Sequence, residues 1–335
     1  MSTVPESRST PALPRLPPVA VVAVVALLLA AVFFLSLPGT TLWQRVLQDA
    51  GHGPVFAGIA IALLLRLAPP AGAVVRPGSA YWRAFLWATS IGVATELIQY
   101  SMPGRSVSWM DALHDAAGAA LGLALVWFIE RRLAARRGET SVPSHGSTVA
   151  AIGLLAFTLL AWQPLQCARA YAARKAALPA LLPLGPVAEA RFVQSQQASM
   201  SHVLLPERFR QPGDRNSIRL DYPPGSRPGL RLVEPYPDWS NRDVLAIDLT
   251  NPGPEPARFM VRVFDAQHDW SSADRFNQRV EIPAATRTTI RISLEAIATS
   301  PAGRRMDLGS VRDLMLVAQR PPSVGHFYVT RIWLE

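Results

Sequence analysis

The chain has 335 residues, of which 50% are hydrophobic and only 17% charged, against about 25% charged in soluble domains, so a wholly soluble globule is disfavoured. Its formal charge of +9 is arginine charge spread along the chain, with Lys175 the sole lysine and no Lys/Arg block of the kind that makes a nucleic-acid arm; no DNA or RNA partner is expected. A single cysteine, Cys167, excludes an intramolecular disulfide framework and a multi-cysteine metal centre.

The two halves differ in kind. Residues 1–176 carry 14 basic and 7 acidic side chains, residues 177–335 carry 19 and 17. After a tail at 1–15, no charged residue occurs from Leu16 to Gln44, and Val19–Leu37 is long enough to cross the ~30 Å hydrocarbon core of a bilayer as a helix. Phe33-Phe34-Leu35-Ser36-Leu37 offers no small-residue cleavage site, so the segment reads as an uncleaved span. Further apolar stretches at about His52–Ala71, Ala80–Tyr100, Met110–Ile129 and Ser147–Gln166 bring the expectation to five transmembrane helices: four in a membrane domain at 16–132, then a loop at 133–146 and a fifth helix at 147–168.

Cytoplasmic flanks collect arginine. Arg8, Arg15, Arg66, Arg76, Arg83, Arg131, Arg132, Arg136 and Arg137 fall on one side of this topology, Arg45 and Arg105 on the other. The expected N-terminus is therefore cytoplasmic, the membrane the inner membrane of a bacterium, and everything beyond the fifth span extracytoplasmic. Arg169, Arg174 and Lys175 oppose this weakly. A four-span alternative would leave Ser147–Gln166 merely interfacial, which its apolar run Val149–Leu160 disfavours.

Ionisable groups inside spans are costly and ask for a partner or a use. In this topology His52, Glu96, Gln99, Arg105, Asp111, His114 and Asp115 all gather at the outer ends of the helices. Glu96 and Gln99 share a helical face, and Asp111, Asp115, Gly118 and Gly122 follow a 0, 4, 7, 11 progression on another. Gly118-Ala-Ala-Leu-Gly122 is a GxxxG that admits close helix approach, which would bring Asp115 toward Glu96. Glu96, Gln99, Arg105, Ser106 and Asp111 are the candidate groups for a lipid or lipid-linked headgroup, with the bidentate guanidinium of Arg105 suited to phosphate. His52, Glu96 and Asp115 are the candidates for acid/base chemistry. The same side chains could ligate a divalent ion, but without fixed ligand spacing neither a metal nor any other cofactor is expected. Each residue also has a plainer role: Asp111 in a capping box with Ser108, Arg105 as an interfacial anchor or the counter-ion of Glu96.

His52-x-x-x-Phe56, Glu96-Leu-Ile-Gln99, Met102-Pro-Gly-Arg105-Ser106, Asp111 and Gly118-x-x-x-Gly122 together resemble the VanZ-like membrane domain over about residues 35–132. Asp49-Ala50 stands where that family has Asp-Lys, Phe56 where it has Tyr, and Asp115 where it has Asn. The resemblance implies a cell-envelope protein of a family named for glycopeptide-antibiotic tolerance, and supplies no biochemical activity.

After a Pro-rich linker at 169–188, short alternating runs replace the long apolar ones. Arg191–Gln197, Ser217–Tyr222, Leu230–Glu234, Val244–Leu249, Arg258–Phe264, Asn277–Ile282, Thr288–Ser293, Leu314–Ala318 and Phe327–Leu334 are predicted strands separated by turns such as Asn251-Pro252-Gly253. They predict an all-β jelly-roll sandwich over 189–335. Leu245–Leu249, Asn251-Pro252, Phe264-Asp265, Asp274-Arg-Phe-Asn277, Arg304-x-Met-Asp307 and Phe327–Leu334 are similar to a carbohydrate-binding-module-like, galactose-binding-like domain. What this implies is binding of an envelope polysaccharide. Tyr236, Trp239, His268, Trp270, Asp274 and Asn277 are the candidate glycan contacts, pairing aromatic faces with fixed polar groups. In the plainer reading Trp239 and Phe276 are core or edge packing and Asp265, Asp269 and Asp274 lie on solvated turns; a structural calcium on these carboxylates and Asn277 is a further alternative. Binding is the expected function, with a headgroup-transferring or hydrolysing enzyme and a purely structural scaffold as rivals, because no nucleophilic Ser or Cys motif accompanies the polar cluster.

Overall fold

The computed structural model describes residues 13–34, 41–67, 69, 75–100, 109–138, 145–182, 191–214, 216–319, 321 and 323–335. The chain divides into two compact units, Met1–Cys167 and Ala168–Glu335.

The first unit is helical: α1 (Pro18–Phe34), α2 (Leu42–Ala50), α3 (His52–Arg66), α4 (Gly78–Tyr100), α5 (Trp109–Arg136) and most of α6 (Gly146–Ala176). α2 begins at a capping box, in which the Gln44 amide donates to Thr41 Oγ1 at 3.2 Å and the Thr41 amide donates to Gln44 Oε1 at 3.1 Å. Gly51 joins α2 to α3 with helical angles, so that Leu42–Arg66 forms one long apolar stretch. α3 and α5 touch at backbone level. A Cβ added to Gly118 would lie 2.2 Å from the Gly53 carbonyl oxygen, and one on Gly122 would lie 2.9 Å from Ala57 Cα. The GxxxG thus does the work of bringing two helices together.

α4 shows why the unit packs as it does. Ala80, Ala84, Ala88 and Gly92 recur every four residues on its buried side and give way to Thr95, Glu96 and Gln99. Trp82, Leu86, Trp87, Val93, Leu97, Ile98 and Tyr100 are exposed on the other sides. α6 exposes Ile152, Leu154, Leu155, Phe157, Trp162 and Leu165. Exposed apolar surface of this extent marks an interaction with something other than water.

Among the described residues, three helical stretches are long and apolar enough to cross a membrane: Leu42–Arg66, Trp109–Arg136 and Gly146–Ala176. The expected count of five is not reached on length and composition. α1 has 17 residues, and α4 dilutes its apolar side chains with Arg83, Thr89, Ser90, Glu96 and Gln99.

The second unit is a sandwich of two five-stranded antiparallel sheets. One has the order β1 (Val193–Gln196), β4 (Gly229–Val233), β9 (Val311–Ala318), β6 (Ala257–Asp265), β7 (Phe276–Ile282). The other has β2 (Ser199–Leu204), β3 (Asn216–Tyr222), β10 (Gly325–Leu334), β5 (Val244–Asn251), β8 (Thr286–Ser293), with a short helix α7 (Leu294–Ala298) after β8. Alternation sends Leu230, Leu232, Phe259, Val261, Val263, Leu314 and Leu316 from one sheet against Ile218, Leu220, Leu245, Ile247, Leu249, Phe327 and Val329 from the other. Burying each such side chain contributes about 1.5–3 kcal/mol. The sequence analysis found nine of these strands and overlooked β2.

The outer faces of the two sheets differ. Over the second sheet, Leu205 and Phe209 pack on Tyr328, and Arg287 joins Asp214 and Asp248 while donating to the Phe209 carbonyl at 2.9 Å. The segment around Phe209 is thereby held against that sheet. On the first sheet, register aligns Arg231, Met315, Arg262 and Asn277 across four neighbouring strands.

Candidate functional site

In the helical unit, three helices each deliver one acid/base or ligand group to a common point. His52 opens α3, Glu96 lies one turn from the end of α4, and Asp115 lies in the second turn of α5. One ligand atom from each falls within 4.8 Å of the others. His52 Nδ1 is 3.1 Å from Asp115 Oδ1. Asp115 is fully buried and Glu96 is 4% exposed, while His52 is partly exposed, giving the cluster an open edge.

Asp115 reaches α4 because residue 92 is glycine: a Cβ there would meet Asp115 Oδ2 at 2.8 Å. Among the described residues that Oδ2 has no hydrogen-bond partner, and neither do the buried Gln99 Nε2 and His114 Nδ1. Buried polar atoms without partners cost about 1–3 kcal/mol each. Asp111 is half-buried in the first turn of α5. Arg105 and Ser106 lie outside the described residues, as does Ser108 of the expected capping box. The structure therefore assembles His52, Glu96 and Asp115 from the sequence candidates, with Gln99 among the buried residues of α4. Chemically, the arrangement can orient an imidazole against a carboxylate, offer carboxylate and amide groups to a polar ligand, or surround a cation.

Sequence reasoning missed a second polar knot. Arg76, Glu130 and Tyr81 meet where the start of α4 passes the later turns of α5. The Arg76 guanidinium and its backbone amide both donate to Glu130, the amide at 2.8 Å, and Tyr81 Oη donates to the same carboxylate at 2.9 Å. Arg76 Nε caps the end of α3 by donating to the Leu67 carbonyl at 2.7 Å. The signal was available in Glu130, an acid that ends the uncharged run Ala116–Ile129 of α5, but its partner is 54 residues away in sequence.

In the sandwich the six glycan candidates separate. Trp239 is wholly buried in the core, with Nε1 donating to the Tyr236 carbonyl at 2.6 Å; it is a packing residue, and its assignment as a glycan contact is corrected. Its turn-rich surroundings look exposed in sequence, but the segment folds back over the core edge. Tyr236 is partly buried against the same core. Asp274 is taken up by Arg304, and Asp269 N donates to it at 2.9 Å. Arg304 also holds Asp265 at 2.6 Å. The guanidinium holds Asp274 well below the usual carboxylate range; for Asp265 burial is the largest influence and pushes upward, but the guanidinium and the Asp307 and Gln267 amides together bring it below that range. Of the carboxylates offered for calcium, Asp265 and Asp274 are thus occupied by an internal cation, whereas Asp269 is exposed and accepts from the Ser271 amide at 2.7 Å. Asn277 is exposed, but its amide donates to the Ser272 carbonyl at 2.9 Å and its oxygen accepts from Arg275 Nε at 3.1 Å, which fastens the 270–276 loop. His268 Nδ1 donates to the Asp274 main-chain carbonyl at 2.8 Å.

Trp270 remains. It is 67% exposed and sits in the left-handed region at φ 71°, an uncommon conformation for a bulky residue. Its ring meets Phe264 edge-on with centroids 6.3 Å apart and His268 at 5.6 Å, and Arg312 approaches it at 6.0 Å.

No family model matches the chain, and no curated protein matches it. Among solved structures the C-terminal part is similar to a family 11 carbohydrate-binding module from Clostridium thermocellum in complex with a β-1,3-1,4-mixed-linked tetrasaccharide, at 17% identity over 42% of this chain and 86% of that one, TM-score 0.31. It is similar to an exo-β-agarase at 16% identity over 43% of this chain and 22% of that one, TM-score 0.34, and to the cellulose-specific module CBM28 at 8% over 48% and 93%, TM-score 0.33.

Proposed function

We propose that the chain is a multi-pass protein of the bacterial inner membrane and cell envelope, VanZ-like in its helical unit, that receives the polar headgroup of a lipid or lipid-linked molecule at His52, Glu96, Gln99 and Asp115. Asp111, Arg105 and Ser106 complete the proposed binding groups. The observation that carries this reading is the convergence of buried polar side chains with unpartnered atoms, Asp115 Oδ2 and Gln99 Nε2 among them, inside helices that expose large apolar side chains. Intramembrane polar groups that are not consumed by one another mark a functional site. The reading keeps the five-span topology and the extracytoplasmic sandwich expected from the arginine bias.

The test is lipid binding by the purified full chain in nanodiscs, using an undecaprenyl-pyrophosphate-linked sugar and an ordinary phospholipid as separate probes. Gln99→Leu removes an unpartnered amide, so the fold is expected to keep its stability within about 1 kcal/mol while binding of one probe weakens at least tenfold. Unchanged binding of both probes overturns the reading.

A second reading concerns the sandwich, and a specific observation favours it. The exposed Trp270 ring, fixed by Phe264 and His268, is the kind of rigid apolar face on which sugars stack. We propose that it anchors an envelope polysaccharide.

A further inference from the structure

We propose that His52, Glu96 and Asp115 hold a divalent transition-metal ion of the zinc or manganese type. The donor set is one imidazole nitrogen and two carboxylate oxygens, a mixture that suits these ions better than calcium or magnesium, which favour all-oxygen surroundings. Ligands about 2.1 Å from a tetrahedral ion lie about 3.4 Å from one another. The 3.1 Å between His52 Nδ1 and Asp115 Oδ1 is already at that spacing, and the outer limit of 4.8 Å for the three-atom set is closed by small side-chain rotations.

Beside the clustering itself, a second observation points to a ligand. Among the described residues Asp115 Oδ2 has no hydrogen-bond partner although its side chain is 1% exposed, so this carboxylate presents a lone-pair-bearing oxygen to the interior, on the side of α4 and one helical turn from Glu96. Gly92 is what permits that approach, since any side chain there would collide with the same oxygen.

Three protein ligands leave a coordination position at the partly exposed His52 edge. The inference deepens the headgroup reading and rests on it for the occupant of that position, an oxygen of a phosphate-bearing headgroup. The metal site itself does not depend on that reading.

The experiment uses tag-free full chain in detergent, stripped with chelator and re-equilibrated with Zn²⁺, with metal content measured by mass spectrometry and Co²⁺ substitution read from its visible d–d bands. About one equivalent per chain is expected, with His52→Gln and Glu96→Gln each lowering metal affinity more than tenfold while helicity is kept. Background metal in the folded wild-type chain overturns the proposal, and so does full retention by both variants. If a variant fails to fold, the stoichiometry and Co²⁺ spectrum of the wild type decide. Headgroup binding is measured in parallel. Metal bound without lipid overturns the headgroup reading alone, and lipid bound with metal at background overturns the metal alone.

Discussion

Buried carboxylates are treated in two ways in this chain. In the sandwich, Asp265, Asp248 and Asp313 each meet a guanidinium, from Arg304, Arg287 and Arg231. The same holds at one end of the helical unit, where Arg76 and Tyr81 converge on Glu130. At the other end Asp115 has an imidazole on one oxygen and, among the described residues, no hydrogen-bond partner on the second. A carboxylate held by a fork of donors is finished as structure, because its charge and lone pairs are spoken for. One left half-satisfied retains the capacity to bind. The difference separates stabilising ion networks from a candidate site more sharply than residue type does, since both use the same acids.

Substitutions can break or sharpen that contrast. The largest effect is expected at Trp239. Its replacement by alanine empties the centre of the sandwich and costs about 3–5 kcal/mol, read as an early unfolding transition of the full chain. Trp270→Ala is its counterpart: stability shifts by no more than about 0.5 kcal/mol while polysaccharide retention in affinity electrophoresis falls. Equal stability losses for the two tryptophans would contradict the separation of core from surface drawn here.

Next comes Arg304→Leu. It strands Asp265 in the interior and Asp274 beside it, and is expected to cost about 3 kcal/mol, whereas Gln99→Leu, at the half-satisfied cluster, costs little. Chemical denaturation of the two variants side by side measures the contrast directly.

The smallest effect is in pH. Arg304 depresses the pKa of Asp274 and Arg287 that of Asp214. A depressed folded-state pKa means stability that is present above the unfolded value, about 3.9, and is lost as pH falls toward the folded one. Thermal scans should therefore show the sandwich transition flat from neutral pH down to about 5 and falling below about 4. Arg287→Met should flatten that acid limb.

Much of the fold is legible in the amino-acid order because it is set locally. The starts of α3 and α5 lie within one residue of the predicted apolar runs. Nine strands follow from alternation and turns. β2 escaped because Ser199-Met-Ser-His-Val-Leu204 is an edge strand whose residues are exposed or half-exposed throughout, which leaves little periodic signal. The gathering of His52, Glu96 and Asp115 follows from helix ends and a GxxxG. What could not be read is pairing over long separations. Arg76 and Glu130 are such a pair, and so are Asp265 and Arg304. Which acids are satisfied, and hence which remain available, is decided by those distant partners. Trp239 shows the same limit from another side: composition marks its segment as a turn, and only the fold reveals that the turn closes over the core.

The glycine contact between α3 and α5 has one more consequence. Gly53 follows His52 directly, and Gly118 lies one turn beyond Asp115, so the main chains themselves are in register beside the cluster. The gap between imidazole and carboxylate is therefore gauged by two abutting backbones and is insensitive to the wandering of long side chains. A guest entering there meets a slot of preset width, with little conformational freedom left to lose on binding, and selection by size comes before selection by charge.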